Sequence, residues 1–172
     1  MNNASRNVVI RTEAIPSDIQ TIEKIVRSSG FFRPNEVPVA IELVTERLEK
    51  GAKSGYEFVF IDVDANTVAY ACFGLIPCTV YSYDLYWIAT HEDYRGQGFG
   101  KLALREVEKA VAASGGKSIY AETSSLPKYE PTRAFYLKNN YIEKARFEDF
   151  YNDGDDKVVY FKRLINPKNG LS

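Results

Sequence analysis

The chain is short of the residues that several kinds of function require. Its 172 residues include two cysteines, Cys72 and Cys78, and one histidine, His91. Two thiols suit a reducing compartment without proving one, because they can still pair with each other. One histidine leaves a zinc site short of ligands, so no metal centre is expected. Neither sign of charge dominates: 22 Lys and Arg stand against 23 Asp and Glu, for a net charge of −1 and a pI of about 5.9. The longest basic run is the pair Lys162-Arg163, which leaves nucleic acid and anionic membrane surfaces without a footprint. A long apolar run is missing too. The longest stretch without charge, Asn66 to Tyr83, has 18 residues broken by Gly74, Pro77 and polar side chains. A membrane span needs about 20 predominantly apolar residues. The start, MNNASRNVVIRTEA, has no apolar signal-peptide core, so the cytoplasm is the expected compartment.

What is present suits one folded domain. A composition of 45% apolar and 26% charged residues, at a length near the common domain size, allows a single filled core and excludes intrinsic disorder. No repeat, linker or low-complexity segment divides the chain, so residues 1–172 are read as one unit.

Periodicity supplies the elements. Val8 to Arg11 reads as a first strand, followed by a helix from about Ser17 with Ile19, Ile22 and Val26 on one side. Ser17 and Gln20 have capping-box spacing, and Gly30 can end that helix. Asn35 can cap a second helix carrying Val37, Ile41, Val44 and Leu48, with Gly51 past its end. Tyr56 to Val63 and Val68 to Ile76 read as a hairpin around Asp64-Ala65-Asn66. The fourth strand is expected over Leu85 to Thr90, and a helix over about Gly98 to Ala113 with Phe99, Ala103, Leu104, Val107, Ala110 and Val111 on its apolar face. Gly115-Gly116 stops it, Lys117 to Thr123 makes a fifth strand, and Thr132 to Asn139 a short helix. Tyr141 to Tyr151 and Lys157 to Leu164 close the chain as a hairpin around Asn152-Asp153-Gly154. The sum is a mixed α/β sheet of about seven strands with about four helices.

The most informative segment is DLYWIATHEDYRGQGFGKLAL, Asp84 to Leu104. Its Arg95-Gly96-Gln97-Gly98-Phe99-Gly100 sets glycines at alternate positions after an apolar strand and before an amphipathic helix. Such glycines let backbone N–H groups converge on a diphosphate, with the positive end of the helix dipole behind them. A Walker A loop fails here, because Arg95 stands where its first glycine belongs and Leu102 replaces the hydroxyl residue. A Rossmann fingerprint is weak, because Lys101 takes the place of its third glycine.

Arg95, Gly98 and Gly100 match the R/Q-x-x-G-x-G/A loop of the GCN5-related N-acetyltransferase (GNAT) superfamily, which the chain resembles. VVIRTEAIPSDIQTIEKIV is similar to that superfamily's first strand and helix, and TRAFYLKNNYIEKARF to its later coenzyme-contacting helix and following strand. The resemblance covers nearly the whole chain in element order. It implies a mostly antiparallel sheet splayed between strands 4 and 5, and transfer of an acetyl group from acetyl-CoA, as cosubstrate, to an amine. By position, the backbone of Ile88, Ala89 and Thr90 would hold the pantetheine and acetyl carbonyl, one N–H stabilising the oxyanion. Arg95, Gly96, Gln97, Gly98, Phe99, Gly100 and Lys101 would cradle the pyrophosphate. Glu92 departs from the family's frequent proline and Asn140 from its glycine. Asparagine tolerates the left-handed cap conformation, so Asn140 is expected to end the short helix.

The chemistry needs two proton transfers, one from the acceptor ammonium and one to the departing thiolate. Asp84 lies eleven residues before Arg95, where some family members place a catalytic glutamate, and alternation puts it on one face with Tyr86, Ile88 and Thr90. It is a candidate base acting through water; the competing reading is a cap of the loop after Tyr81-Ser82-Tyr83. Glu122 is a second candidate base, or a solvated strand carboxylate. Tyr136 falls where the family often has a tyrosine near the coenzyme sulfur, and is read as the acid or as a core tyrosine. His91 is read as solvent-facing, and Cys72 and Cys78 as packing residues without a histidine partner. Tyr81, Tyr83, Tyr86 and Tyr129 can line an acceptor pocket or serve as strand and surface residues. The partner is therefore a small-molecule or peptide amine, with a homodimer left open. A non-catalytic acyl-CoA-binding regulatory module and a nucleotide-binding α/β domain are the alternatives.

Overall fold

The computed structural model describes residues 6–164; the first residues of the stretch read above for an export signal lie outside that range. The strands are β1 (Val8–Arg11), β2 (Glu57–Val63), β3 (Asn66–Leu75), β4 (Ser82–Thr90), β5 (Ser118–Ser124), β6 (Ile142–Asn152) and β7 (Asp155–Arg163). The helices are α1 (Asp18–Ser29), α2 (Val37–Lys50), α3 (Phe99–Ala113) and α4 (Glu130–Lys138). The strands make one sheet in the order β1-β2-β3-β4-β5-β7-β6, with β4 and β5 parallel. This is the mixed, mostly antiparallel architecture expected. The parallel ladder joins Ser82–Leu85 to Ser118–Ala121 and ends there, although β4 continues to Thr90 and β5 to Ser124.

The chain forms two compact units. The first takes the chain up to Phe73 together with Trp87–Val107. Its core gathers Ile22, Ile25 and Val26 of α1, Val37, Ala40 and Val44 of α2, Phe58 and Phe60 of β2, Tyr70 and Cys72 of β3, and Ala89 of β4. β2 and β3 are buried along nearly their whole length, which explains their continuous apolar runs. Arg11 of β1 fastens the start of α1 through both oxygens of the buried Asp18, at 2.8 Å each, and reaches Asp62 on β2.

The second unit takes Gly74–Tyr86 and the chain from Glu108 onward. Register divides the side chains of its strands between two faces. On one lie Asp84, Tyr120, Glu122, Lys157, Phe161 and Phe147; on the other lie Tyr83, Ile119, Ala121, Val158, Tyr160 and Lys162. The helical segments of this unit pack on the second face. Tyr136 of α4 stacks on Tyr160 with ring centroids 5.3 Å apart, and Glu108 of α3 holds Lys162 at 2.8 Å. A methyl group at Gly116 would collide with Val111 and the Tyr83 ring, so only glycine lets β5 start that close to α3.

Several local expectations change. Ser17 makes no side-chain cap, and α2 starts from Glu36 rather than Asn35. β4 begins at Ser82, three residues before the apolar run that marks it, because it pairs with β5. Asn140 takes a φ of 65° after α4, as a left-handed cap should.

Candidate active site

The glycine loop lies in the first unit. Gly96 and Gly98 have φ of 71° and 87°, a region L side chains rarely adopt, so the sequence pattern answers to the backbone path. No atom lies within 4 Å of where a Cβ on either glycine would sit, leaving the outer side of the loop open for a ligand. The carbonyl of Gly98 accepts from the N–H of Leu102 at 2.9 Å, which makes Gly98 the residue that opens α3. The first N–H groups of a helix have no acceptor inside it. Here they belong to Phe99, Gly100 and Lys101, and they fit a diphosphate.

Two of the loop's side chains are engaged elsewhere. The Arg95 guanidinium donates to the carbonyl of Ser29 at the end of α1 and lies 4.8 Å from the centroid of the Phe31 ring. Gln97 donates to the carbonyl of Asp93 at 3.1 Å and accepts from Arg6. Arg95 and Gln97 thus shape the loop, and what it offers a ligand is its main chain and the exposed Lys101. His91, half-buried, accepts from the N–H of Asp93 and lines a cleft of about 400 Å³ with Arg11, Asp18 and Tyr94.

The candidate acid and bases lie in the second unit. Asp84 is the third residue of β4, half-buried, and not the cap of a loop. Burial first, then the nearby Glu122 carboxylate, raise its carboxyl to about 6, with Lys157 pulling the other way. Glu122 is exposed and bridged to Lys157 at 2.9 Å. Tyr136 sits on the opposite face, 4% exposed, among the rings of Phe135, Tyr141 and Tyr160. Burial, and secondarily Tyr160, lift its phenol above the ordinary tyrosine range, so it stays protonated at neutral pH. The structure therefore joins Asp84 with Glu122 and sets Tyr136 across the sheet from them.

Of the residues expected on one face of β4, Asp84 and Tyr86 belong to the second unit and Ile88 and Thr90 to the first. Tyr83 and Tyr129 are buried, whereas Tyr81 and Tyr86 are exposed. Sequence reading missed Lys157 and, beside it, Phe147 and Phe150. The β5–β7–β6 register sets Ser124 opposite Lys157 and Lys157 opposite Phe147, and ring contacts put Phe150 beside both.

Comparisons with known proteins identify the family and the fold. The Acetyltransferase (GNAT) family pattern matches residues 22–141, and the chain belongs to that family. A protein from Desulfovibrio desulfuricans assigned to the same family is 42% identical, with 92% of this chain and 100% of that one aligned at a TM-score of 0.91. At 16% identity the ribosomal-protein-S18-alanine N-acetyltransferase of Escherichia coli shares the fold, covering 96% and 99% of the two chains at a TM-score of 0.73. The PaiA N-acetyltransferase of Thermoplasma acidophilum, solved with coenzyme A, does so at 19% identity, 91% and 99% coverage and a TM-score of 0.71. No curated protein matches the sequence significantly.

Proposed function

We propose that this acetyltransferase moves the acetyl group of acetyl-CoA to a primary amine by direct attack, with no covalent enzyme intermediate. The observation that supports the reading is the glycine loop, with Gly96 and Gly98 at positive φ and the first N–H groups of Phe99, Gly100 and Lys101 at the start of α3, in a chain of the acetyltransferase family. An attacking amine must lose a proton to one group while the departing thiolate gains one from another. Acetyl-CoA supplies the activated acetyl group. The backbone of Ile88, Ala89 and Thr90 would hold its pantetheine arm, and the N–H groups of Arg95 to Lys101 its pyrophosphate. Asp84 receives the amine's proton, through water because its side chain is short. Glu122, engaged by Lys157, raises the proton affinity of Asp84 instead of acting as the base. Tyr136 protonates the leaving sulfur. The free Cys72 and Cys78 fit a reducing, cytoplasmic setting.

The test is thiol release from acetyl-CoA in the presence of a panel of amines. Asp84 works only when ionised, so kcat/KM should fall as pH drops below about 6. Asp84→Asn should lose that limb, slow the reaction at neutral pH and recover partly at high pH, where the amine is already unprotonated. A parental profile in this variant would remove Asp84 from the mechanism, and acetyl-CoA binding without turnover on any amine would fit a regulatory module.

A further inference from the structure

α4 has nine residues, and Tyr136 is the one among them that is buried. A helix that short is marginal by itself and depends on what it is tied to. Two cations tie it. Near its start Arg133 donates to the carbonyls of Ser124 and Leu126 at 2.8 and 3.0 Å, where the chain leaves β5. At its end Lys162 of β7 donates to the carbonyl of Asn139 at 3.0 Å, while the Glu108 carboxylate of α3 holds the same ammonium at 2.8 Å. The side chains of Lys162 and Glu108 are 20% and 17% exposed, so water has little room to replace either contact. A cation there also suits the negative end of the helix.

The end that Lys162 holds is the end that carries Tyr136. The N–H groups of Asn139 and Tyr141 both donate to the Tyr136 carbonyl, at 3.0 Å each. The Lys162 ammonium also lies 5.4 Å from the centroid of the Tyr141 ring, which sits 5.6 Å from that of Tyr136. Lys162 therefore bears on the main chain and on the ring stack around Tyr136 through Asn139 and Tyr141. Ring packing among Phe135, Tyr141 and Tyr160 keeps the phenol buried, but the rotation of α4 about its axis decides where the hydroxyl points. That hydroxyl is at the far end of the ring, where a small rotation moves it most, and a misplacement of about 1 Å can cost about a hundredfold in rate.

Resting on the acetyl-transfer reading above, we propose that Lys162 is a positioning residue for that reaction: by tying the end of α4 to Glu108 of α3, it holds the Tyr136 hydroxyl where the departing sulfur can take its proton. The test uses the full chain with its tyrosines isotope-labelled at the ring carbon that bears the hydroxyl. The Tyr136 resonance is identified by its loss in Tyr136→Phe and followed as CoA is added. It should move in the parent and in Lys162→Arg, and stay in place in Glu108→Gln/Lys162→Met, which removes the tie and leaves no carboxylate unpaired, at parental CoA affinity. With an acceptor amine, that double variant should lose about tenfold to a hundredfold in kcat at a similar KM for acetyl-CoA, and adding its substitutions to Tyr136→Phe should cost nothing further. A Tyr136 signal that CoA leaves in place in the parent, a parental response in the double variant, or an equal loss of kcat with and without Tyr136→Phe overturns the proposal. If the double variant does not fold, Glu108→Gln alone decides, since it frees the lysine from α3, and a parental signal and rate in it overturn the proposal as well. The resonance is read without turnover, so a protein that shows the expected signals but acetylates no amine sinks the acetyl-transfer reading and leaves the hold of Lys162 on Tyr136 standing.

Discussion

The glycine loop and the proposed acid–base set rest on opposite principles. In the loop, the chemistry lies in main-chain N–H groups at the start of α3, and the side chains of Arg95 and Gln97 face their own scaffold. In the second unit the proposed chemistry lies in side chains, and the backbone sets the register that brings Asp84 near Glu122 and Tyr136 against Tyr160. A backbone site depends on a few positions tolerating positive φ. A side-chain site depends on which strands become neighbours.

That contrast predicts where substitutions are most damaging. Gly98→Val places a β-branched residue at a φ of 87°, which costs about 1–3 kcal/mol in strain, and displaces N–H groups worth about 1.5–3 kcal/mol each when they meet a charged oxygen. Calorimetry should show acetyl-CoA affinity falling by roughly a thousandfold or more in a variant that still folds. Retained affinity would show that the loop does not work through its backbone.

Tyr136→Phe probes the other principle with a smaller expected effect. The ring and its contacts with Phe135, Tyr141 and Tyr160 remain, and only the donor is lost. Turnover should drop by about 10²-fold, the lower end for a positioned proton transfer because a thiol is already a fair leaving group, while acetyl-CoA affinity stays similar. Parental rates in steady-state and single-turnover kinetics would return Tyr136 to a packing role.

The same contrast explains what could be read from the sequence. The loop was legible because alternate glycines before an amphipathic helix are a local signal. Element boundaries within an apolar run were legible for the same reason. The start of β4 was not, because Ser82 and Asp84 are strand residues only through their pairing with Ser118 and Tyr120, more than thirty positions away. Asp84 could be nominated from its place eleven residues before Arg95 in the family pattern and Glu122 as a carboxylate on the fifth strand, but their mutual influence is a property of register. Lys157 reads as one more charged strand residue until β7 lies beside β5. The caps at Ser17 and Asn35 failed since residue type suggests a cap, whereas side-chain orientation makes one.

Arg95→Ala should give the smallest effect, and it separates the two principles most directly. If Arg95 belonged to a side-chain site, its charge would hold a phosphate and its loss would weaken acetyl-CoA binding. In the structure the guanidinium instead holds the Ser29 carbonyl, beyond the reach of α1's own N–H groups, and covers the Phe31 ring. Removing it should cost about 1–2 kcal/mol of stability, a charged hydrogen bond and a cation–π contact at a partly solvated position. For a chain of this length that lowers the melting temperature by about 2–8 °C. Acetyl-CoA affinity should change by less than about threefold, well under the 1.4 kcal/mol that a tenfold change represents. Scanning calorimetry and titration of the same preparation decide the matter. An unchanged melting temperature with affinity lost as far as in Gly98→Val would mean that the arginine reads the phosphate itself, and the division between a backbone-built loop and a side-chain-built centre would fall.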